Sequence, residues 1–148
     1  MTTFRSDAAA GTRIGIVAAV VLNSAGETLL VRKRGTAAFM QPGGKRTGGE
    51  TDLAALEREL FEELGCGLKP ESCRALGFYS APAANEPGST VDAELFAVTL
   101  AGEVCASAEI EEAVWIDPDV EPSIQLAPLT RRHALPLARE LKLKAACA

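Results

Sequence analysis

The chain has 148 residues, of which 47% are hydrophobic and 24% charged, a balance typical of one globular domain with a single core. Its formal net charge of −5 disfavours a general nucleic-acid or anionic-membrane surface, because clustered Lys and Arg bind such partners. The longest apolar stretch, residues 14–22, is far too short to cross a bilayer.

Residues 1–12 contain a triple alanine and Gly11, and they are predicted to form a flexible arm before a single domain over residues 13–148. The chain starts without the charged segment and apolar run of a signal peptide. Its four cysteines show no Cys-x-x-Cys spacing, so reduced thiols are favoured over disulfides or a zinc site. These features predict a cytoplasmic protein.

Segments rich in β-branched residues and bounded by turn residues predict the strands. Residues 13–22 form the first strand, and residues 27–34 are expected to return beside it as the second arm of a hairpin. A loop is predicted over residues 35–49. Later strands are predicted at residues 75–81, 91–100 and 114–116.

Two helices complete the predicted architecture. The first spans about residues 51–64 and ends at Gly65, because glycine readily adopts the left-handed conformation of a helix end. The second spans residues 128–143 and is expected to bend or restart at Pro136, which cannot donate a backbone hydrogen bond. Helices combined with a mixed sheet indicate an α/β fold.

The first helix carries three glutamates on one edge. At about 100° per residue, Glu59 and Glu63 lie one turn apart and Glu62 lies beside them. A separate leucine stripe faces the core and consists of Leu53, Leu56, Leu60 and Leu64. Like charges at this spacing repel, so a compensating cation is expected. Mg²⁺ suits the position, because it prefers oxygen ligands and binds through a few carboxylates together with substrate phosphates.

The sequence around this edge is Gly-x5-Glu-x7-Arg-Glu-Leu-x-Glu-Glu-x-Gly-Cys, from Gly44 to Cys66, and it resembles the signature of the Nudix hydrolases. Only Cys66 stands where an aliphatic residue is more common. The resemblance implies an α/β/α sandwich with a mixed sheet between helices. It also implies hydrolysis of a phosphoanhydride bond by attack of water on phosphorus, with Mg²⁺ as the cofactor and Mn²⁺ as a substitute.

The resemblance also implies roles for residues of the signature. Glu59, Glu62 and Glu63 would be metal ligands, joined by the backbone carbonyl of Gly43, and one of the glutamates would double as the base. A fourth acid is expected before a late strand, where Glu109 is favoured. Its rivals are Glu94, Glu111 and Glu112.

Arg58 is expected to point away from the metal edge and to pair with Glu50, so that the loop is held against the helix. The alternative for Glu50 is an acid favoured merely by the helix N-terminus. Gly43 and Gly44 would let the backbone approach the metal and phosphate, because no Cβ intervenes. An ordinary flexible turn is the alternative for these glycines.

Substrate contacts are predicted beside this loop. Lys33 and Arg34 could meet a phosphate, although solvation at the surface is the more common fate of such residues. Strand alternation places Arg32 and Arg34 on one face and Lys33 on the other, and Lys33 is the family-like position. Phe39 is expected near the mouth of the cleft, where its ring could stack on a base. Core packing is the favoured alternative for the aromatic candidates, which are Phe39, Phe78, Tyr79 and Trp115.

The leading hypothesis is a MutT-like enzyme that acts on a nucleoside triphosphate or another nucleoside diphosphate derivative. One alternative is a pyrophosphatase of ADP-ribose or a nucleotide sugar. Another is a non-catalytic nucleotide-sensing domain, although such domains usually lose signature glutamates. An RNA-end processing protein would need a basic groove, which the net charge disfavours. The expected partner is therefore a small-molecule nucleotide. The protein itself is expected to be a monomer or a homodimer.

Overall fold

The computed structural model describes residues 12–147, so the predicted arm lies outside the described residues except for Thr12. The strands are β1 (Arg13–Val21), β2 (Thr28–Lys33), β3 (Phe39–Met40), β4 (Gly43–Gly44), β5 (Gly67–Leu68), β6 (Arg74–Pro82), β7 (Thr90–Val98), β8 (Leu100–Ala101) and β9 (Ile110–Ile116). The α-helices are α1 (Asp52–Leu64) and α2 (Leu135–Cys147). A 3₁₀ turn spans Pro70–Ser72, and a π-helical turn, Thr130–Ala134, leads into α2.

Strand β1 lies at the centre of a mixed sheet with the order β4-β1-β7-β6. It runs parallel to β7 and antiparallel to β4. Its alternate side chains enter two different cores: Val17 and Ala19 pack with α1, whereas Ala18 and Val20 pack with α2. The sheet therefore lies between two helices, which confirms the predicted sandwich.

The predicted hairpin of the first two strands is wrong. Strand β2 belongs to a second sheet with the order β3-β2-β9. Where β1 ends and β2 begins, the described residues pair only through an isolated bridge between Leu22 and Thr28. The reason is that β1 already pairs with β4 on one edge and with β7 on the other. The chain therefore turns at residues 23–26 and leaves the first sheet.

The ends of α1 agree with the predictions, whereas α2 runs to Cys147, four residues beyond the predicted end at residue 143. The Thr51 hydroxyl accepts a hydrogen bond from the backbone N–H of Ala54, and Gly65 ends α1 with a φ of +71°. Leu56, Leu60 and Leu64 of the leucine stripe are buried in the first core, and the partly buried Leu53 packs against it. The last helical segment changes from π to α geometry at Leu135, beside Pro136. None of the helices described here has the length and apolar character needed to cross a membrane.

Strand β9 starts four residues earlier than the prediction of 114–116. The first half of β9 is rich in acidic residues, which obscured the apolar pattern expected of a strand. In the structure these acids pair with basic residues in and directly after the adjacent strand β2. Glu112 lies opposite Arg32, and a bulge after Arg32 brings Ile110 opposite Lys33. This bulge lies at the edge of the cleft described next.

Candidate active site

A cleft of about 370 Å³ opens beside β4 and the C-terminal half of α1. Its charged lining residues are Lys33, Lys45, Glu59, Glu63, Glu86 and Glu109. Two other pockets in the described structure are larger. One, of about 490 Å³, lies beside Trp115, and the other, of about 560 Å³, lies beside Lys142. Neither brings carboxylates together, since Glu103 is the acid that lines the first and no acid lines the second. The smaller cleft is therefore the candidate site.

Glu63 lies at the floor of the cleft and is only 3% exposed. Its Oε1 accepts a hydrogen bond of 3.0 Å from the backbone N–H of Gly43. Burial raises the pKa of Glu63 to about 8, and the charges of Glu59 and Glu109 act in the same direction, whereas the Gly43 bond and Lys33 oppose the shift. A carboxyl that holds a proton near neutral pH can exchange that proton for a cation.

Glu59 lines the same cleft one helical turn earlier. Burial raises its pKa, and Arg58 opposes this shift by donating from Nη1 to Oε2 at 3.1 Å. Gly44 lies directly against this carboxylate, and Gly43 lies against the β1 backbone with a φ of +151°. A Cβ on Gly43 would lie 2.2 Å from the Val17 carbonyl oxygen, so only glycine fits there.

Glu62 does not line the cleft. Its side chain is 52% exposed, and its Oε1 lies 3.5 Å from Nη1 of Arg58. At about 100° per residue, Glu62 and Glu63 lie on opposite sides of Glu59, so the helix turns only one of the two toward the cleft. The shared edge predicted from the sequence is thus split in the structure.

The predicted pair of Arg58 and Glu50 is confirmed. Nε and Nη2 of Arg58 donate to the two carboxylate oxygens of Glu50 at 2.7 and 2.8 Å, and Nη2 also donates to the Lys45 carbonyl at 2.9 Å. The Arg58 hydrogen bonds lower the pKa of Glu50 to about 2, and the backbone N–H of Thr47 adds to the shift. The expectation that Arg58 points away from the acidic edge is wrong, because its guanidinium also contacts Glu59.

Lys33 enters the cleft, and its Nζ lies 3.7 Å from Oε2 of Glu109, which lines the same wall. Arg34 lies outside, 66% exposed and paired with Glu111 at 3.2 Å. Lys33 therefore lies on the opposite face from Arg34, as strand alternation predicts. The rival acids Glu111 and Glu112 are engaged by Arg34 and Arg32 outside the cleft. Glu94, in the middle of β7, is not a lining residue either.

Phe39 does not lie at the mouth of the cleft, where the sequence placed it. Its ring is buried, with the Arg32 guanidinium 5.8 Å from the ring centroid. Because side chains alternate along β3, the next residue, Met40, faces the cleft instead, followed by Gln41. Of the other aromatic candidates, Tyr79 stacks on His133 with centroids 4.9 Å apart, outside the cleft lining.

Sequence reasoning missed the uncharged part of the cleft. The missed residues include Ile14, Ile16, Gln41 and Val91. Alternation along β1 could have identified the two isoleucines, because they precede Ala18 and Val20 on the same face. Gln41 could also have been identified from the sequence. It is a polar residue directly before Pro42 and the glycine loop, and that loop packs against the helix that carries the glutamates.

The cleft residues fit a divalent cation. No preassembled group of three or more His, Cys, Asp or Glu side chains occurs within residues 12–147. Mg²⁺ does not require one, because it binds through one or two carboxylates together with waters and substrate phosphates. Glu59 and Glu63 supply two carboxylates at the same cleft wall, and their raised pKa values reflect a site that favours added positive charge.

Known proteins resemble this chain in sequence pattern and fold. The NUDIX domain family model matches residues 12–139. The structure of a MutT NUDIX hydrolase from Burkholderia pseudomallei is 23% identical, with a TM-score of 0.68 over 87% of this chain and 97% of that chain. The E. coli ORF135 protein is 25% identical, with a TM-score of 0.65 over 91% and 93% of the two chains.

A UDP-X diphosphatase structure is 20% identical and has a TM-score of 0.69, over 87% of this chain but only 64% of that chain. No curated protein matches the chain significantly. These three structural likenesses span 87–91% of this chain.

Proposed function

The chain belongs to the Nudix family of hydrolases, and we propose that it is a metal-dependent pyrophosphohydrolase of a nucleoside triphosphate or another nucleoside diphosphate derivative. The family makes the chain a hydrolase of small-molecule nucleoside diphosphate derivatives in general. The observation that supports the finer proposal is the meeting of Glu59, Glu63 and Lys33 in one cleft. Paired carboxylates suit a cation, and a lysine beside them suits a phosphate.

Glu59 and Glu63 would hold Mg²⁺, or Mn²⁺ in its place, together with the backbone carbonyl of Gly43. A bound divalent cation would neutralise phosphate oxygens and lower the pKa of the attacking water. Glu109 would complete the set from the opposite wall, where Lys33 now lies 3.7 Å from it. Glu62 would join only by turning away from Arg58.

The remaining residues position the substrate and the loop. Lys33 would contact a phosphate oxygen, and Gly44 would allow the phosphate close to the backbone. One of the glutamates of the signature would take the proton of the attacking water. The pair of Arg58 and Glu50 would hold the glycine loop against α1.

A nucleoside triphosphate is the first candidate substrate, because the structures that share this fold include MutT hydrolases. The MutT hydrolase from Burkholderia pseudomallei is covered over 97% of its chain, whereas the UDP-X diphosphatase is covered over 64%. Hydrolysis of ADP-ribose or a nucleotide sugar is the second candidate, because the fold likeness to the diphosphatase is equally close.

The test is a panel of nucleoside triphosphates, ADP-ribose and nucleotide sugars, incubated with Mg²⁺ and analysed for products. The proposal expects a nucleoside monophosphate with pyrophosphate from a triphosphate. A sugar phosphate as the second product would support the second candidate instead. Isotopically labelled water should label only one product, which identifies the phosphorus attacked. Ligands that raise the melting temperature without cleavage would indicate a sensing domain and contradict the enzyme.

A further inference from the structure

We infer that Gln41 determines base specificity by donating a hydrogen bond from its side-chain amide to a carbonyl oxygen of the substrate base. This inference rests on the proposed function and adds the class of base to it. Guanine carries a carbonyl oxygen at the ring position where adenine carries an amino group, as uracil and thymine do relative to cytosine, so guanine, uracil and thymine would be preferred.

The cleft has a charged end and an apolar end. The charged end is formed by Glu59 and Glu63 of α1. Apolar lining side chains include Ile14 and Ile16 of β1 and Val91 of β7, and Ile16 and Val91 pack against the core that contains α2. A nucleotide whose phosphates meet the glutamates would therefore direct its flat, largely apolar base toward this second end.

Gln41 belongs to the apolar end because its partner lies in the turn that leads into α2. The Thr130 hydroxyl donates to Oε1 of Gln41 at 2.7 Å. Thr130 is completely buried, and Gln41 is 6% exposed, so this bond is shielded from water. The carboxamide is thus fixed with its oxygen toward the protein and its NH₂ group away from Thr130.

The NH₂ group of Gln41 makes no hydrogen bond within residues 12–147. Only the carbonyl oxygen of the same side-chain amide is bonded, and its partner is Thr130. Among the described residues, the one fully buried side-chain polar atom without a hydrogen-bond partner is the Thr28 hydroxyl, and the Gln41 nitrogen does not belong to this class. The Gln41 nitrogen is therefore not sealed in the protein, and Gln41 lines the cleft. Its N–H groups are therefore available to a ligand bound in the cleft.

A fixed donor among apolar side chains discriminates between bases. A carbonyl oxygen at this position replaces the water that the amide loses, whereas an amino group leaves the donor unpaired. An unpaired buried donor lowers transition-state affinity by about tenfold or more. The site should consequently favour GTP, UTP or dTTP over ATP by at least that factor.

The experiment compares kcat/KM for GTP, UTP, dTTP and ATP in the wild type and four variants. The ratio of the best carbonyl-bearing substrate to ATP should exceed about ten in the wild type. It should approach one in Gln41→Leu, which lacks the donor. Thr130→Val, which frees the amide without touching the base, should lower the ratio in part, and Thr130→Ser should retain it. Gln125→Leu, at an exposed glutamine outside the cleft, is the matched control.

A wild-type preference for ATP, or a ratio that Gln41→Leu leaves unchanged, would overturn the inference. If none of the triphosphates is cleaved, the first candidate of the proposed function fails separately, and binding still tests Gln41. GMP and AMP are then titrated calorimetrically, and the Gln41→Leu change should abolish a preference for GMP. If Gln41→Leu does not fold, as judged from its melting curve, Gln41→Met provides the same loss of the donor.

Discussion

Gly44 lies directly against the carboxylate of Glu59. A Cβ built on Gly44 would lie 2.5 Å from the carboxylate carbon and 2.7 Å or less from both oxygens. The backbone of Gly44 is not in the left-handed region, so the glycine is required for space rather than for conformation. The Glu59 carboxylate can therefore occupy this position beside the loop only because Gly44 has no side chain.

Replacing Gly44 with alanine should displace the Glu59 carboxylate and lower kcat/KM by about 10–100-fold, the range expected when a ligand is misplaced by a neighbour. The melting temperature should change little, because the Glu59 side chain can swing toward solvent. The matched control is Gly67→Ala, where a Cβ meets nothing within 4 Å. Equal activity of the two variants would contradict the role of the close contact.

Glu59→Gln and Glu63→Gln should each lower hydrolysis by more than about 100-fold, since direct loss of a ligand charge should exceed the effect of a neighbouring change. Initial rates at saturating Mg²⁺ measure the effect. Glu57→Gln, an exposed glutamate of the same helix, is the control and should retain wild-type rates. Near-normal rates in either cleft variant would refute the metal assignment.

Activity should disappear in a chelator and return with Mg²⁺ or Mn²⁺. Ca²⁺ should restore little, because it is larger and accepts irregular geometry, whereas phosphoryl chemistry requires a tightly defined set of oxygens. Rates measured after dialysis and metal addition test this expectation. Full activity in chelator would mean that the carboxylates of the cleft act without a cation.

The sequence predicted α1 well because its signals are local. Thr51 and Gly65 mark the helix ends through bonds within one turn, and the leucine stripe repeats with the helical period. It did not predict that β1 and β2 lie in different sheets, since that depends on distant β4 and β7 occupying both edges of β1. Pairing between strands that are far apart in the sequence leaves little trace in the residues near either strand.

The candidate site shows the same division. Spacing alone placed Glu59 and Glu63 on one helix edge, but whether Glu62 faces the cleft or solvent depends on how α1 rotates against the sheet. Gln41 escaped notice because its partner, Thr130, is 89 residues away. A polar residue beside a glycine loop becomes informative only when the fold supplies the group that fixes it.

The ion pair of Arg58 and Glu50 should stabilise the protein only above acidic pH. The folded-state pKa of Glu50 is about 2, below its ordinary value of 4.5, so the unfolded chain binds the proton first. The advantage of the wild type over Glu50→Gln should be complete above pH 4.5 and fade as the pH falls toward 2. Urea unfolding at pH 6 and pH 3 measures the difference, with exposed Glu71→Gln as the control.

Glu63 should have the opposite pH dependence. Its folded-state pKa of about 8 lies above the ordinary 4.5, so between these values the folded protein holds a proton that the unfolded chain has released. The free energy of unfolding should therefore fall as the pH rises from 4.5 to 8. Glu63→Gln cannot ionise, so its stability relative to the wild type should grow across this window, by roughly 2–4 kcal/mol at pH 8.5.

Urea unfolding of both proteins at pH 5 and pH 8.5 tests this expectation, in chelator so that no cation replaces the proton on Glu63. The exposed Glu57→Gln variant should follow the wild type at both pH values. Added Mg²⁺ at pH 8.5 should then raise the stability of the wild type more than that of Glu63→Gln, because only the wild type offers the buried carboxylate as a ligand. A constant difference between wild type and Glu63→Gln at the two pH values would show that the buried carboxyl is ionised throughout.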